Sequence, residues 1–126
     1  MKRLLFSFLV LCLLFLYSYY TEKYVLDYCT YLDSTLEKCA TELREEKYSS
    51  AKETADELMK SWENNDIILS VFIGDSSVIE PEKCIISLYG SLADRNYSYS
   101  LLTVRECQGY IHEISESTQT NFANVL

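Results

Sequence analysis

Apolar residues recur along most of this chain at the spacing of an α-helix. An uncharged run, Leu4–Tyr20, lies near the amino end, and no glycine or proline separates it from the pattern that follows. In that pattern the steps alternate between four and three residues, which places the apolar side chains on one helix face. Its members are Val25, Cys29, Leu32, Leu36, Cys39 and Leu43. The pattern predicts one long helix that continues from the uncharged run to about Glu46.

A second amphipathic helix is predicted from Tyr48 to a natural stop at Gly74. Its apolar positions are Tyr48, Ala51, Ala55, Leu58, Trp62, Leu69 and Phe72. Shortly after Gly74, the residues Ser77-Val78-Ile79-Glu80 have the pattern of a capping box, which marks the start of a helix. We therefore expect a third helix to begin there, with Pro81 in its first turn, and to end near Asp94.

Arg95-Asn96 is expected to form the turn into a fourth helix. The apolar positions of that helix are Tyr97, Leu101, Val104, Cys107, Ile111 and Ile114. Residues 115–126 are polar at first and then apolar, and we expect them to form a tail that docks on the bundle through Phe122 and Val125-Leu126. The predicted fold is all-α: an N-terminal transmembrane helix that continues into a small antiparallel bundle of about four helices.

The predicted organisation has four parts: a cytoplasmic N-terminus (1–3), a transmembrane helix (4–20), a helical bundle domain (21–114) and the C-terminal tail (115–126). Seven residues are expected in the core of the bundle: Trp62, Leu69, Phe72, Leu36, Leu88, Leu101 and Ile111.

Trp62, the one tryptophan of the chain, has two interpretations. It precedes three polar residues (64–66) and a dense apolar run, so the stretch could be a ligand-binding box. Helical spacing, however, places Trp62, Leu69 and Phe72 near one face and the polar residues mostly on the other. We favour a helix anchored in the core by one large aromatic side chain.

Composition narrows the choice of fold and partner. Three glycines and one proline in 126 residues suit long helices better than a β-sandwich or barrel, which needs frequent turns. The net charge of −8 argues against nucleic acid as a partner, because phosphate binding needs clustered lysine and arginine.

The run Leu4–Tyr20 is interpreted as an uncleaved membrane anchor. A helix of its length rises about 25 Å, slightly less than the ~30 Å hydrocarbon core, and its tyrosines at positions 17, 19 and 20 suit the far interface. Lys2 and Arg3 favour a cytoplasmic N-terminus and an extracytoplasmic C-terminal domain at the cell membrane. The rival interpretation is a cleaved signal peptide, which needs small residues such as alanine just before the cleavage point. The first alanine of this chain is Ala40, well beyond the apolar run, which disfavours that interpretation.

Four cysteines follow the anchor: Cys29, Cys39, Cys84 and Cys107. We favour buried thiols, since three of them occupy apolar helix positions and free cysteine is commonly buried. An oxidising compartment would instead allow two disulfides. Cys29 and Cys39 lie ~15 Å apart on one helix and cannot pair. The open alternatives are Cys29–Cys84 with Cys39–Cys107, or Cys29–Cys107 with Cys39–Cys84.

Catalytic chemistry finds little support in the sequence. No pair of cysteines has the C-x-x-C spacing, and the one histidine, His112, has no cysteine at a close ligand spacing. General-base catalysis by His112 would also need an orienting acid and a nucleophile. We predict no catalytic, cofactor-binding or metal-binding residue, no small-molecule ligand, and no enzyme activity.

The motif Trp62-x-x-Asn65-x-x-Ile68-Leu69-Ser70-x-Phe72-Ile73 resembles the signature of an uncharacterised bacterial family of short membrane-anchored helical proteins, domain of unknown function family 4363. Further agreement comes from Ser87-Leu88, from Ile111-His112-x-Ile114 and from Asn124-Val125-Leu126. Members often carry histidine where this chain has Gly74-Asp75. The resemblance implies a membrane segment and a small helical domain, and it implies no catalytic residue.

The functional expectation is a membrane-anchored extracytoplasmic accessory or interaction module. Its partners would be the membrane and an integral membrane or envelope protein, which a tyrosine stripe at Tyr24, Tyr28 and Tyr31 could contact. Two alternatives stay open: a thiol-dependent or redox-sensing envelope protein, and a secreted helical factor released by signal cleavage.

Overall fold

The computed structural model describes the backbone of residues 1–125 and the side chains of residues 1–120. Within that part of the chain there are four α-helices and no strands, which confirms the all-α prediction. The helices are α1 (Lys2–Arg44), α2 (Tyr48–Ile73), α3 (Asp75–Ala93) and α4 (Tyr97–Val125).

The helices form an antiparallel four-helix bundle. α1 packs against α2 and α4, and α3 packs against the same two helices. Turns of one to three residues connect them, and such short connections make consecutive helices antiparallel neighbours. α1 is much longer than its neighbours, so its N-terminal part projects beyond the bundle.

Two of the turns follow the same hydrogen-bonding scheme. After α1, Lys47 N–H donates to the Glu42 carbonyl at 2.8 Å, and Glu46 adopts a left-handed φ of 61°. After α3, Asn96 N–H donates to the Ser91 carbonyl at 2.9 Å, and Arg95 has a φ of 59°. This is the Schellman pattern, which satisfies the last carbonyls of each helix.

The turn between α2 and α3 corrects one sequence prediction. Gly74 alone joins the two helices, with a φ of 94° that favours glycine, and α3 begins at Asp75. The predicted capping box at Ser77-Val78-Ile79-Glu80 is therefore wrong, because Ser77 already lies in the first turn of α3 and no side chain caps the helix. Pro81 lies inside the helix and not in its first turn.

The buried core runs the length of the bundle. Of the seven core residues expected from the sequence, Leu36, Trp62, Leu69, Leu88 and Ile111 are buried. Phe72 and Leu101 are half-buried and pack against the edge of the core. Cys29, Cys39, Cys84 and Cys107 are also buried, alongside small residues such as Ala51 and Ala55.

α4 is longer than the sequence pattern indicates. Its apolar face ends at Ile114, yet the helix continues through the polar segment from Ser115 to Val125. The expected docking of Phe122 and Val125-Leu126 lies outside the side chains that the structure describes.

Candidate functional site

The N-terminal part of α1 has a surface unlike the rest of the molecule. Among the described residues, α1 is the one helix long and apolar enough to cross a membrane, and its most apolar window is fully exposed. The side chains from Leu4 to Tyr20 are exposed, apart from a half-buried Ser18. A core helix would bury such residues, so this segment needs an apolar environment that the bundle does not supply.

Contacts between α1 and α2 give the level of the α2–α3 turn beside α1. Tyr28 Oη lies 3.1 Å from Ser61 Oγ, and Tyr24 Oη donates to Asn65 Oδ1 at 2.6 Å. Further along, the ring of Phe72 meets two rings of α1 edge to face, that of Tyr24 with centroids 5.5 Å apart and that of Tyr17 with centroids 6.3 Å apart. Phe72 therefore lies between the levels of Tyr17 and Tyr24, and Gly74 lies level with about residues 15–18 of α1.

The tyrosine stripe of α1 divides between core and surface. Tyr28 stacks between Tyr24 and Tyr31, with ring centroids 6.2 and 6.1 Å apart. Burial raises the pKa of Tyr28 to about 12, and burial also raises the pKa of Tyr24. Tyr31, in contrast, is 45% exposed. The inner members therefore pack against α2, while Tyr31 is free to meet another molecule.

A cavity of about 500 Å³ opens at the same end of the bundle. It lies between α1, the α2–α3 turn and α4, and Val25, Phe72, Ile73, Pro81 and Ile114 supply its apolar wall. Glu22, Glu80 and Glu113 supply carboxylates, and the charge of Glu80 is the main cause of a raised pKa at Tyr110 in the same wall. The lining of this cavity suits a ligand with a cationic group and an apolar portion. The sequence-based expectation of no small-molecule ligand stays a prediction.

A polar cluster centred on Glu37 ties α1 to α4 away from this end. Arg105 Nη1 donates to Glu37 Oε2 at 2.8 Å, Gln108 Nε2 donates to the same oxygen at 2.9 Å, and Arg44 approaches Oε1 at 3.3 Å. The hydrogen bonds from Gln108 and Arg105 lower the pKa of Glu37 to about 2. The sequence pattern gave no indication of this cluster, because its members are far apart in the chain.

The lowered pKa of Glu37 predicts a specific acid dependence. Folding is favoured by the ionised carboxylate, so this contribution is complete above the ordinary pKa of about 4.5 and is lost as the pH falls towards 2. Glu37→Gln should therefore flatten the change in urea unfolding midpoint between pH 6 and pH 3. The matched control is Glu53→Gln, an exposed glutamate on α2. Equal acid dependence in wild type and Glu37→Gln would contradict the role of the cluster.

The five cysteines are free thiols, and four are buried. Burial raises the pKa of Cys29 to about 11 and that of Cys39 to about 12. Cys84 Sγ donates to Glu106 Oε2 at 3.9 Å, and the thiol of Cys107 lies near that of Cys84. Neither set of disulfides considered from the sequence pairs Cys84 with Cys107.

Burial predicts the labelling pattern of these thiols. A maleimide applied to the folded chain in mild detergent at neutral pH should leave Cys29, Cys39, Cys84 and Cys107 intact, whereas urea should expose all four. Cys12 lies in the apolar segment that detergent covers, so its adduct is counted separately. Mass spectrometry counts the adducts and locates them. Rapid modification of a buried cysteine, or a native Cys84–Cys107 disulfide, would contradict the buried-thiol interpretation.

His112 lies on the surface of α4, with its side chain 72% exposed, and pairs with Glu116 at 3.0 Å. Within the described residues no group of three or more histidine, cysteine, aspartate or glutamate side chains is arranged to hold a metal ion. The expectation that the protein has no enzyme activity stays a prediction.

Comparison with known proteins gives one match. A family model described as Domain of unknown function (DUF4363) matches residues 19–125, which include the whole bundle and the last residues of the apolar run. No curated protein matches the chain. No solved structure matches it either.

Proposed function

The chain belongs to the DUF4363 family, whose description names no activity, and we propose that it is a membrane-anchored accessory module that binds another membrane or envelope protein. In this proposal α1 crosses the cell membrane once. Lys2 and Arg3 stay in the cytoplasm, and the bundle lies outside it.

The observation that carries the proposal is the continuity of α1. A single helix holds the exposed apolar segment Leu4–Tyr20 and, without a break, the buried face from Val25 to Leu43. An anchor of this kind holds the bundle at a fixed height and orientation, which suits recognition of a partner in the same membrane.

Tyr31 supports a protein partner that binds beside α1. Its ring is held against Tyr28 at 6.1 Å and is still 45% exposed, so it offers a preoriented aromatic surface. Tyrosine is enriched in protein interfaces because it buries a large area at little entropic cost.

A photocrosslinking amino acid at Tyr31 tests the proposed partner. Irradiated membranes should yield an adduct with one integral membrane or envelope protein, identified by mass spectrometry. Tyr99 on α4, which is 46% exposed, is the matched control position and should yield no such adduct. Tyr31→Ala should also abolish recovery of that partner from gently solubilised membranes. Equal adducts at both positions, or none at Tyr31, would count against the proposal.

The thiol-dependent alternative has one structural observation in its favour, the neighbouring thiols of Cys84 and Cys107. A disulfide between them would join α3 to α4. The labelling experiment described above distinguishes this alternative from the accessory role.

A further inference from the structure

The bundle extends further down α1 than a membrane span of ordinary length allows. Because Gly74 lies level with about residues 15–18, only the first part of α1, from Lys2 to between Leu14 and Tyr17, projects beyond the α2–α3 turn. A helix of about 13 to 16 residues rises roughly 20–24 Å, whereas the hydrocarbon core is about 30 Å thick. If α1 spans the bilayer, the tip of the α2–α3 hairpin lies roughly 6–10 Å inside the outer edge of a hydrocarbon core of that thickness, and a bilayer that thins around the hairpin reduces this depth.

The C-terminal end of α2 has a surface suited to that depth. No charged residue occurs between Ile67 and Gly74. Ile67 and Val71 lie one helical turn apart and are 75% and 70% exposed, and Ile68 beside them is 46% exposed. Leu69 in the same segment is fully buried, so the core is complete without these three side chains. Apolar residues gathered at one end of a bundle indicate a contact surface.

Carboxylates limit how deep this end can go. On the hairpin, Asp66 precedes the apolar segment and the exposed Asp75 follows the turn, and the carboxylates of the cavity described above lie further from the tip. A carboxylate is costly in the hydrocarbon core, so Asp75 at the tip favours an interfacial position, with the bilayer thinned beside the hairpin. Amphipathic elements that lie in the interface are buried about 5–10 Å into the boundary of headgroups and acyl chains, so interfacial burial and local thinning together supply the depth that α1 lacks.

We propose that the tip of the α2–α3 hairpin, residues 67–75, enters the outer interface of the bilayer beside α1, with Ile67, Ile68 and Val71 facing lipid. This inference rests on the proposed membrane anchor. The anchor and the hairpin tip together give the bundle two contacts with the membrane, which fix the tilt of the bundle as well as its height above the bilayer.

An environment-sensitive fluorophore on cysteine tests the inference in the full-length chain. Val71→Cys, in a Cys12→Ala background, is labelled with a nitrobenzoxadiazole group and placed in phosphatidylcholine vesicles whose acyl chains carry bromine. Lys52→Cys in the same background is the matched control, because it is also exposed on α2 and lies roughly 28 Å further along that helix. The wild-type chain labelled at Cys12 reports on the anchor itself.

We expect blue-shifted emission and bromine quenching at Val71 and at Cys12, and water-like, unquenched emission at Lys52. Ile67→Cys is a second exposed position on the same face and should behave like Val71→Cys, while circular dichroism confirms that each variant folds. Unquenched labels at Val71 and Ile67 with a quenched Cys12 would overturn the inference and leave the anchor standing. An unquenched Cys12 would overturn the anchor and the inference together.

Discussion

Replacing Trp62 by alanine is expected to lower the free energy of unfolding by about 3–5 kcal/mol, as truncation of a core aromatic does. The side chain is 1% exposed and lies among the largest fully buried groups of the bundle. Urea unfolding of the full-length chain in mild detergent, followed by circular dichroism, measures the loss. Trp62→Ala also removes the one tryptophan, so fluorescence cannot serve as the signal.

Trp62→Phe separates the contribution of aromatic packing to stability from the cost of burying the indole N–H. The indole Nε1–H is buried and has no acceptor among the described residues, so phenylalanine keeps much of the packing and removes an unpaired donor. It should therefore cost clearly less than Trp62→Ala. Glu63→Ala, an exposed neighbour, should stay within about 0.5 kcal/mol of wild type. A cost below about 1 kcal/mol for Trp62→Ala would exclude the core role and revive the ligand-box interpretation.

Two charges in the apolar segment of α1 should release the chain from the membrane. Leu9 and Leu13 are each 58% exposed, so aspartate at either position does not disturb the bundle. Each aspartate costs about 2.5–3.5 kcal/mol near the centre of a spanning helix, and the pair roughly 5–7 kcal/mol. The double variant Leu9→Asp/Leu13→Asp should move from the membrane pellet to the soluble fraction after cell lysis.

The control places the same charges on the bundle. Leu102 on α4 is 58% exposed and Ile86 on α3 is 54% exposed, which matches the two anchor positions. The double variant Ile86→Asp/Leu102→Asp should stay in the membrane pellet. If both double variants stay in the pellet, something other than the apolar segment holds the chain there.

The sequence predicted the helices well because each one carries its own signal. The three-and-four spacing of apolar residues from Val25 to Leu43 depends on one helix alone, and so does the stop at Gly74. The start of α3 was misplaced because the capping-box pattern competes with a glycine that reverses the chain in a single residue. The ends of α1 near Glu46 and of α3 before Arg95-Asn96 were predicted, but the left-handed φ of Glu46 and Arg95 was not, because neither residue is glycine.

Less of the candidate site was predictable, because it depends on which residues meet across helices. The tyrosine stripe was visible, but its division into packed Tyr28 and exposed Tyr31 follows from the contact with α2. The proximity of Cys84 and Cys107 requires the register of α3 on α4, which is not encoded by local spacing. The level of Gly74 beside α1, on which the membrane inference depends, likewise emerges only from the packed bundle.

The central claim is that one helix is lodged in the lipid at its amino end and packs into a bundle outside the cytoplasm. Alkaline extraction of membranes, followed by mass spectrometry of the pellet, tests it most directly. The account predicts that the pelleted chain retains Leu4–Tyr20 and that the bundle of intact cells, stripped of any outer wall, is digested by added protease. A soluble chain that begins after Tyr20, or a bundle that protease reaches only after lysis, would contradict it.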